Sequence, residues 1–284
     1  MNLLATLFRT FYPLKSGRGT IANSRLLRKI DGNPSGDISA KSGQFRLLVP
    51  QNDFVGRSIK YFGDLDAKIT WVVDKVLQPG DTALDIGANL GLVSFRMLER
   101  VGPSGKVIAF EPQSRMSNYI EQSIALNGIK NLQLEKVGLG EKPDKLRLSI
   151  PKGNAGAASF ASDVGTRFEE VPVTTLDQYF SEHSDENVRL IKIDVEGFEP
   201  QVFSGGKGFF AKVKPEVIVF EENRETEDMP QSVSIIKSYG YDVFQLPKAW
   251  FSVTLTPYQT GSNAHDFVAI HKDASAALRR RLGV

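Results

Sequence analysis

Residues 82–98 read TALDIGANLGLVSFRML, and the parsing of this stretch decides the fold. An apolar run over 82–86 carries Asp85 near its end. A turn with Gly87, Asn89 and Gly91 follows, and from Leu92 the apolar residues recur at helical spacing. Strand, glycine turn and helix in that order open a βαβ unit. Gly87 and Gly91 let the backbone turn sharply and approach a ligand at the start of the helix. A dinucleotide-binding turn carries G-x-G-x-x-G, whereas this one reads Gly87-Ala-Asn-Leu-Gly91. A carboxylate at Asp85 suits an ammonium group better than a pyrophosphate.

The next apolar run, KVIAFEP over 106–112, ends in Glu111. An acid at the end of the second strand can accept hydrogen bonds from both hydroxyls of a ribose. The two acids outline a ligand with a ribose, a cationic amine end and no phosphate. S-adenosylmethionine meets all three conditions, and NAD meets only the first. Alone, either acid reads equally well as a turn cap or a surface residue. The pair, 26 residues apart across a glycine turn, is the specific signal.

Downstream, strand-like runs alternate with helical ones. The strands are LQLEKVGL (132–139), VRLIKIDV (188–195), PEVIVFEE (215–222), YDVFQL (241–246) and DFVAIHK (266–272). The helices are GLVSFRMLERV (91–101), MSNYIEQSIALNG (116–128), PQVFSGGKGFFAKV (200–213) and SVSIIKSYG (232–240). This predicts a Rossmann-like α/β fold, a mostly parallel sheet covered on both faces. Ligands in such sheets lie beyond the carboxyl ends of the strands, where strand order reverses. KLRLSIP (145–151) reads as an added strand. The polar, Gly-rich stretch over 152–170 reads as a long loop, a lid candidate or a surface insertion, leading into VPVTTLDQYF (171–180). Ahead of the alternation, QFRLLVP (44–50) reads as a strand and 64–80 as a helix with Ile69, Val72, Val73 and Val76 on one face. DGNPSGDISAKSG (31–43) reads as a loop, so residues 1–43 form an arm and 44–284 the catalytic body.

The 284 residues are 41% hydrophobic and 24% charged, an ordinary soluble composition. Net charge is +2 but unevenly placed. Residues 1–30 hold six basic side chains (Arg9, Lys15, Arg18, Arg25, Arg28, Lys29) and no acid, leaving 29 basic and 33 acidic residues, net −4, in the remainder. A slightly acidic body argues against the broad basic channel of a nucleic-acid enzyme. With no cysteine there is no disulfide, thiol nucleophile or thiolate–zinc site. No apolar run approaches the roughly 18 residues of a spanning helix. The expectation is a cytoplasmic protein whose basic arm is a solvated helix on the body, with peripheral contact to an anionic membrane as the second reading. ALRRRLGV (277–284) reads as a solvated, frayed end.

Taken together, DIGANLG, GPSGKVIAFEP, SIALNG, VPVTTLDQYF, LIKIDVEGFEPQVFSGG and PEVIVFEE resemble the FkbM-type S-adenosylmethionine-dependent methyltransferases, over roughly residues 65–272 and in the same order. The resemblance implies the class I methyltransferase sheet, seven-stranded with an antiparallel last strand, here DFVAIHK. It implies methyl transfer to a hydroxyl oxygen of a sugar, glycolipid or secondary metabolite. It places Asp85, Gly87, Asn89 and Gly91 along the methionine part of the cofactor, Glu111 on the ribose, and Asn127 and Leu139 near ribose and adenine.

The sulfonium already activates the methyl group, so the protein must place an oxygen in line and deal with its proton. Candidates cluster after the fourth strand, where KIDVEGFE offers Asp194, Glu196 and Glu199, and at the next strand end, Glu221-Glu222-Asn223. In one scheme Asp194 and Glu222, or Glu221, hold Mg²⁺, which acidifies the hydroxyl. In the other, Asp194 or Glu196 is the base, its pKa raised by crowded like charge. His265 is a third candidate base. Lys192, if buried, reads as a carboxylate partner. Phe160, Tyr179, Phe198, Trp250 and Phe251 read as packing or anchor residues rather than as an acceptor platform. The competing functions are an NAD-type oxidoreductase and a non-catalytic Rossmann-like binding module. A nucleic-acid methyltransferase would carry Asn/Asp-Pro-Pro-aromatic where this chain has DVEG.

Overall fold

Period-two alternation builds the central sheet. Val217 and Val219 face one apolar cluster while Ile218 and Phe220 face another, and Val107 and Ala109 alternate with Ile108 and Phe110 in the same way. Strands apolar on both faces belong inside a sheet with helices on each side. The structure, a computed structural model, describes residues 3–13, 15–151, 155–161, 165–182, 187–222, 229–261 and 264–284.

The main strands are β1 (Thr82–Ile86), β2 (Lys106–Phe110), β3 (Leu132–Glu135), β4 (Val188–Ile193), β5 (Val217–Glu221), β6 (Tyr241–Gln245) and β7 (Asp266–His271). They lie in the order β3-β2-β1-β4-β5-β7-β6, and a two-residue strand, Thr256–Pro257, adds an eighth at the β6 edge. β7 runs antiparallel between β5 and β6, and β1 to β5 are parallel. The sheet is therefore the Rossmann-like one expected, with the antiparallel last strand. Order reverses between β1 and β4, where the glycine turn and KIDVEGFE meet.

Several segments depart from the sequence reading. Residues 132–139 split, because Gly138–Leu139 leaves the main sheet for a three-stranded one with Arg167–Thr174 and Asp144–Ile150. Part of the expected 152–170 loop is thus strand. Residues 200–213 break into Glu199–Ser204 and Lys207–Val213, since a β-carbon at Gly205 would overlap the Gly140 carbonyl. The expected loop at 31–43 contains a strand, Asp37–Ser42, paired antiparallel with Phe45–Pro50. Its polar residues stay on the exposed side of an edge strand, which is why its composition reads as loop.

The helices before and after β1 are α1 (Leu3–Phe11), α2 (Arg18–Ala22), α3 (Arg25–Ile30), α4 (Phe54–Phe62), α5 (Ala67–Val76), α6 (Leu92–Val101) and α7 (Ser114–Asn127). α4 is unforeseen in the sequence reading, although Asp53 caps it by accepting from the Val55 and Gly56 N–H groups and Gly63 ends it. The arm packs on the body, one side of it buried and the other exposed. Ala5, Ala22 and Leu27 bury against Tyr61 and Phe62 of α4, with Phe8 and Tyr12 packed around them. Arg57, fully buried, pairs with Asp31 at 2.9 Å, and Tyr61 Oη donates to the same carboxylate at 2.5 Å. The chain's last helix, Ala276–Leu282, is not frayed. It buries Leu278 and Leu282, and Arg279 pairs with Asp242 at 2.9 Å. Among the described residues no helix is long and apolar enough to cross a membrane.

Candidate active site

The glycine turn is fixed by its two neighbouring strands. The N–H groups of Gly87 and Ala88 both donate to the Phe110 carbonyl at the end of β2, and Asn89 N–H donates to Glu111 Oε2 at 2.6 Å. On the β4 side, Asp194 N–H donates to Ile86 O. Gly87, Asn89 and Gly91 have φ of +77°, +53° and +77°. At Gly87 glycine is required twice over, because a β-carbon there would overlap the Asp194 carbonyl oxygen.

Behind the turn lies a buried charge cluster. Asp85 is fully buried. Its Oδ2 accepts from Ser94 Oγ at 2.5 Å and its Oδ1 lies 3.4 Å from Lys192 Nζ. Lys192 also sits 3.3 Å from Asp194 and donates to the Gly87 carbonyl at 2.7 Å. Burial works against its charge, but the carboxylates of Asp194 and Asp85 outweigh this and hold the ammonium above its ordinary pKa.

KIDVEGFE forms a tight loop at the end of β4. Glu196 and Gly197 are left-handed in succession, φ +55° and +91°. Glu199, buried, clamps them, its Oε1 accepting from Val195 N–H at 2.9 Å and from Gly197 N–H at 3.4 Å. Its carboxyl is pushed up to about 7 by burial, against the lowering effect of those donors. A non-glycine residue held left-handed costs of order 1 kcal/mol and marks a backbone fixed by its surroundings.

Two pockets meet at this loop. The larger, about 450 Å³, is bounded by Gly87, Asn89, Asp194, Glu196, Glu221 and Asp266, with His265 on its wall. The smaller lies over Glu111, Gln113 and Met116 and is covered by Gly156, Ala158 and Phe160; it shares Gly87, Asn89, Asp194 and Glu196 with the first. The carboxyls crowd. Glu221 is pushed up to about 10 by burial, then by the charge of Asp194 and a hydrogen bond to it. Glu196 is pushed up to about 7 by burial, then by Asp194 and Glu199. Glu111 also reaches about 7, burial outweighing the Gln113 and Asn89 N–H groups.

The sequence candidates are placed unequally. Asp194, Glu196, Gly87 and Asn89 come together, and Glu111 joins them through Asn89. Asp85 stands behind the turn and does not line either pocket; Lys192 takes up its charge. Gly91 closes the turn and starts α6, its N–H donating to Ala88 O. Asn127 is spent on the N-terminal hairpin, accepting from Arg46 N–H at 3.0 Å and donating to Arg46 O at 2.6 Å. Leu139 is buried in the core beside its small-sheet partner Thr174. Glu222 turns away and accepts from Ser232 Oγ at 2.6 Å, so the Asp194–Glu222 pair does not fit a shared cation; Glu221 faces Asp194 instead. Among the described residues no group of three or more His, Asp and Glu is placed to hold a metal. Asn223 lies outside the described residues.

Other site residues have no motif to announce them. Lys68, at the start of α5, is buried between Asp266 and Asp66 and closes one wall of the large pocket. Ser16, Gly17 and Thr20 of the arm close another. Residues 155–161 of the expected lid cover the small pocket, and Ser159 Oγ donates to the Glu196 carbonyl at 2.6 Å; residues 152–154 and 162–164 lie outside the described residues.

Comparison with known proteins gives three findings. The family model described as Methyltransferase FkbM domain matches residues 85–243. Among relatives, Methyltransferase 1 of Beauveria bassiana is 25% identical over 148 residues, covering 45% of this chain and 59% of that protein. The 2-O-methyltransferase NoeI of Sinorhizobium fredii is 24% identical over 159 residues, covering 50% and 64%. The chain thus spans about three fifths of the length of these relatives.

Proposed function

Because the chain belongs to the methyltransferase family that carries the FkbM domain, we propose that it moves a methyl group from S-adenosylmethionine to a hydroxyl oxygen of a sugar, glycolipid or secondary-metabolite acceptor. The observation that carries this reading is the meeting of two pockets, one over Glu111 and one lined by carboxylates, at Asn89, Asp194 and Glu196. The similarity to a 2-O-methyltransferase supports oxygen as the acceptor atom.

The residues present fit the cofactor. Asn89 Oδ1 and Gln113 Oε1 are buried beside Glu111 with no hydrogen-bond partner among the described residues. Buried polar atoms are seldom left so unless a ligand or water completes them. Glu111 is placed to hold the ribose, with Asn89 and Gln113 flanking it. When bound, the cofactor supplies an electrophilic methyl group.

The chain's own residues then handle the acceptor. Glu221 keeps its proton near neutrality and hydrogen-bonds Asp194, and Lys192 holds Asp194 from the other side. Asp194 is so fixed as a carboxylate that accepts and orients the hydroxyl. Glu196, its carboxyl raised to about 7 by burial and then by Asp194 and Glu199, takes the proton. No step is routed through a cation, and chelation is expected to leave the rate unchanged.

The direct test incubates methyl-labelled S-adenosylmethionine and the protein with separate pools of sugars, glycolipids and hydroxylated metabolites. Label on oxygen supports the proposal. Label confined to nitrogen, carbon or nucleic acid sinks it.

Two further results are expected. Glu196→Gly removes the base but relieves a left-handed residue. Turnover should fall about a hundredfold or more, while the melting temperature holds or rises. A parallel loss of stability would make Glu196 a structural residue. The second concerns pH. Free Glu111 is raised to about 7, and hydroxyl donors favour its ionised form. Cofactor binding should therefore release a proton, and below pH 7 affinity should weaken by up to about tenfold per unit. Calorimetry in buffers of different ionisation enthalpy reads the proton directly. The slope should disappear in Glu111→Gln, and a slope that survives assigns the proton elsewhere.

A further inference from the structure

Among the described residues ten large hydrophobic side chains are exposed, and six of them belong to the arm or to one loop that the arm touches: Leu7, Phe11, Leu26, Ile30, Trp250 and Phe251. α1 is two-faced. Leu4, Ala5 and Phe8 pack inward on α4, while Leu7 and Phe11, one turn apart, face out, 44% and 73% exposed. Lys15 N–H donates to the Trp250 carbonyl at 2.9 Å, and Ser16 Oγ accepts from Ala249 N–H at 3.0 Å. These bonds hold the Trp250-Phe251 tip, 69% and 71% exposed, beside the end of the arm. On α3, Leu26 and Ile30 repeat the one-turn spacing between the exposed cations Arg25 and Lys29.

Residues 1–30 of the arm carry six cations and no acid. Arg18 is paired with Asp64, but Lys15, Arg25 and Lys29 have no carboxylate within ion-pair distance among the described residues. Exposed apolar groups that gather in one part of a structure mark a contact surface. We propose that this surface docks the protein on an anionic lipid bilayer, the aromatic tip and the outer face of α1 entering the interface while the free cations meet the headgroups. Charge selects this occupant. A second copy docked face to face would bring these cations against their own equivalents, whereas an anionic headgroup layer complements them. The rest of the chain from residue 31, net −4, is repelled by the same layer, so charge also fixes which side faces it. Tryptophan at the exposed tip suits the headgroup region. Ser16, Gly17, Thr20 and Lys248 also line the large pocket, so its rim adjoins the docking surface. The docking claim stands apart from the chemistry proposed above.

The test uses the full chain with Trp71→Phe, which leaves Trp250 as the only tryptophan of the two. Phosphatidylcholine vesicles with and without phosphatidylglycerol are added at low and high salt. Expected are sedimentation with the anionic vesicles alone, release by salt, and a blue shift of Trp250 emission. Phe11→Ser with Trp250→Ser and Phe251→Ser should weaken partition by at least about tenfold and leave the melting temperature and cofactor affinity as they were. No partition of the parent chain would overturn the proposal. So would partition that the serine variant keeps. Concentration-dependent dimerisation abolished by the same variant, without vesicle binding, would instead assign the surface to a second copy.

Discussion

Asp194→Asn is expected to reduce turnover by at least about a hundredfold while leaving S-adenosylmethionine affinity within about tenfold. The substitution keeps the size of the side chain and its hydrogen bond to Glu221, so it removes chiefly the charge. That charge does two things. In the mechanism proposed above it orients the acceptor hydroxyl, and after burial it is the next cause that raises the pKa of both Glu196 and Glu221. The pH profile is therefore the sharper readout. With Asp194 neutral, the Glu196 carboxyl should fall from about 7 toward the ordinary glutamate range, and the rising limb of the rate should move to lower pH. A lost rate with an unmoved limb would break the assignment of Glu196 as base. A rate close to that of the parent would remove Asp194 from the mechanism altogether.

Gly87→Ala should be the most damaging single-methyl change in the protein. The position is left-handed, which alone costs about 1–2 kcal/mol for alanine. The new carbon would also meet the Asp194 carbonyl oxygen, a backbone atom at the end of β4 that cannot rotate away. Overpacking of this kind costs another 1–3 kcal/mol or so, so the sum is about 2–5 kcal/mol, roughly 4 °C or more in melting temperature. Gly91→Ala is the control. It has the same φ, +77°, but its β-carbon would meet only side chains, Ile120 and Phe95, at 3.3–3.4 Å. It should lose only the conformational part. Equal losses in the two variants, read by calorimetry, would show that the close approach to Asp194 carries no weight.

The sheet was legible because its strands are apolar on both faces and its turns carry glycine and strand-end acids. The place of Glu111, directly after β2 and on the wall of the small pocket, is legible by the same signal, and buried Lys192 is a carboxylate partner as its position in the strand suggests. Asp85 reads in the sequence as a ligand for an ammonium group, and in the structure it is buried against Lys192. Strand position gives the end of the sheet but not whether a side chain points over the edge or back under the turn. Which of Glu221 and Glu222 faces Asp194 stays open in the sequence for the same reason, since adjacent residues on an extended chain face opposite ways. The arm was hidden for another reason. Its burial depends on α4, whose apolar residues make sense only once Ala5, Ala22 and Leu27 are packed on them. The strand Asp37–Ser42 was lost because an edge strand with one exposed face has the composition of a loop.

Two bonds across the large pocket's surroundings set an order of events in folding. Lys68 and Asp266 are 198 residues apart, and Ser16 and Ala249 are 233 apart. Contacts of such separation close late, because the entropy of a long loop must be lost before they form. On the ribosome, Ser16 is made 233 residues before Ala249, so the arm cannot complete its wall of the large pocket until Ala249 has emerged. The large pocket is thus completed after the glycine turn and its helix. A chain cut short before Ala249 would hold the glycine turn without this wall of the large pocket.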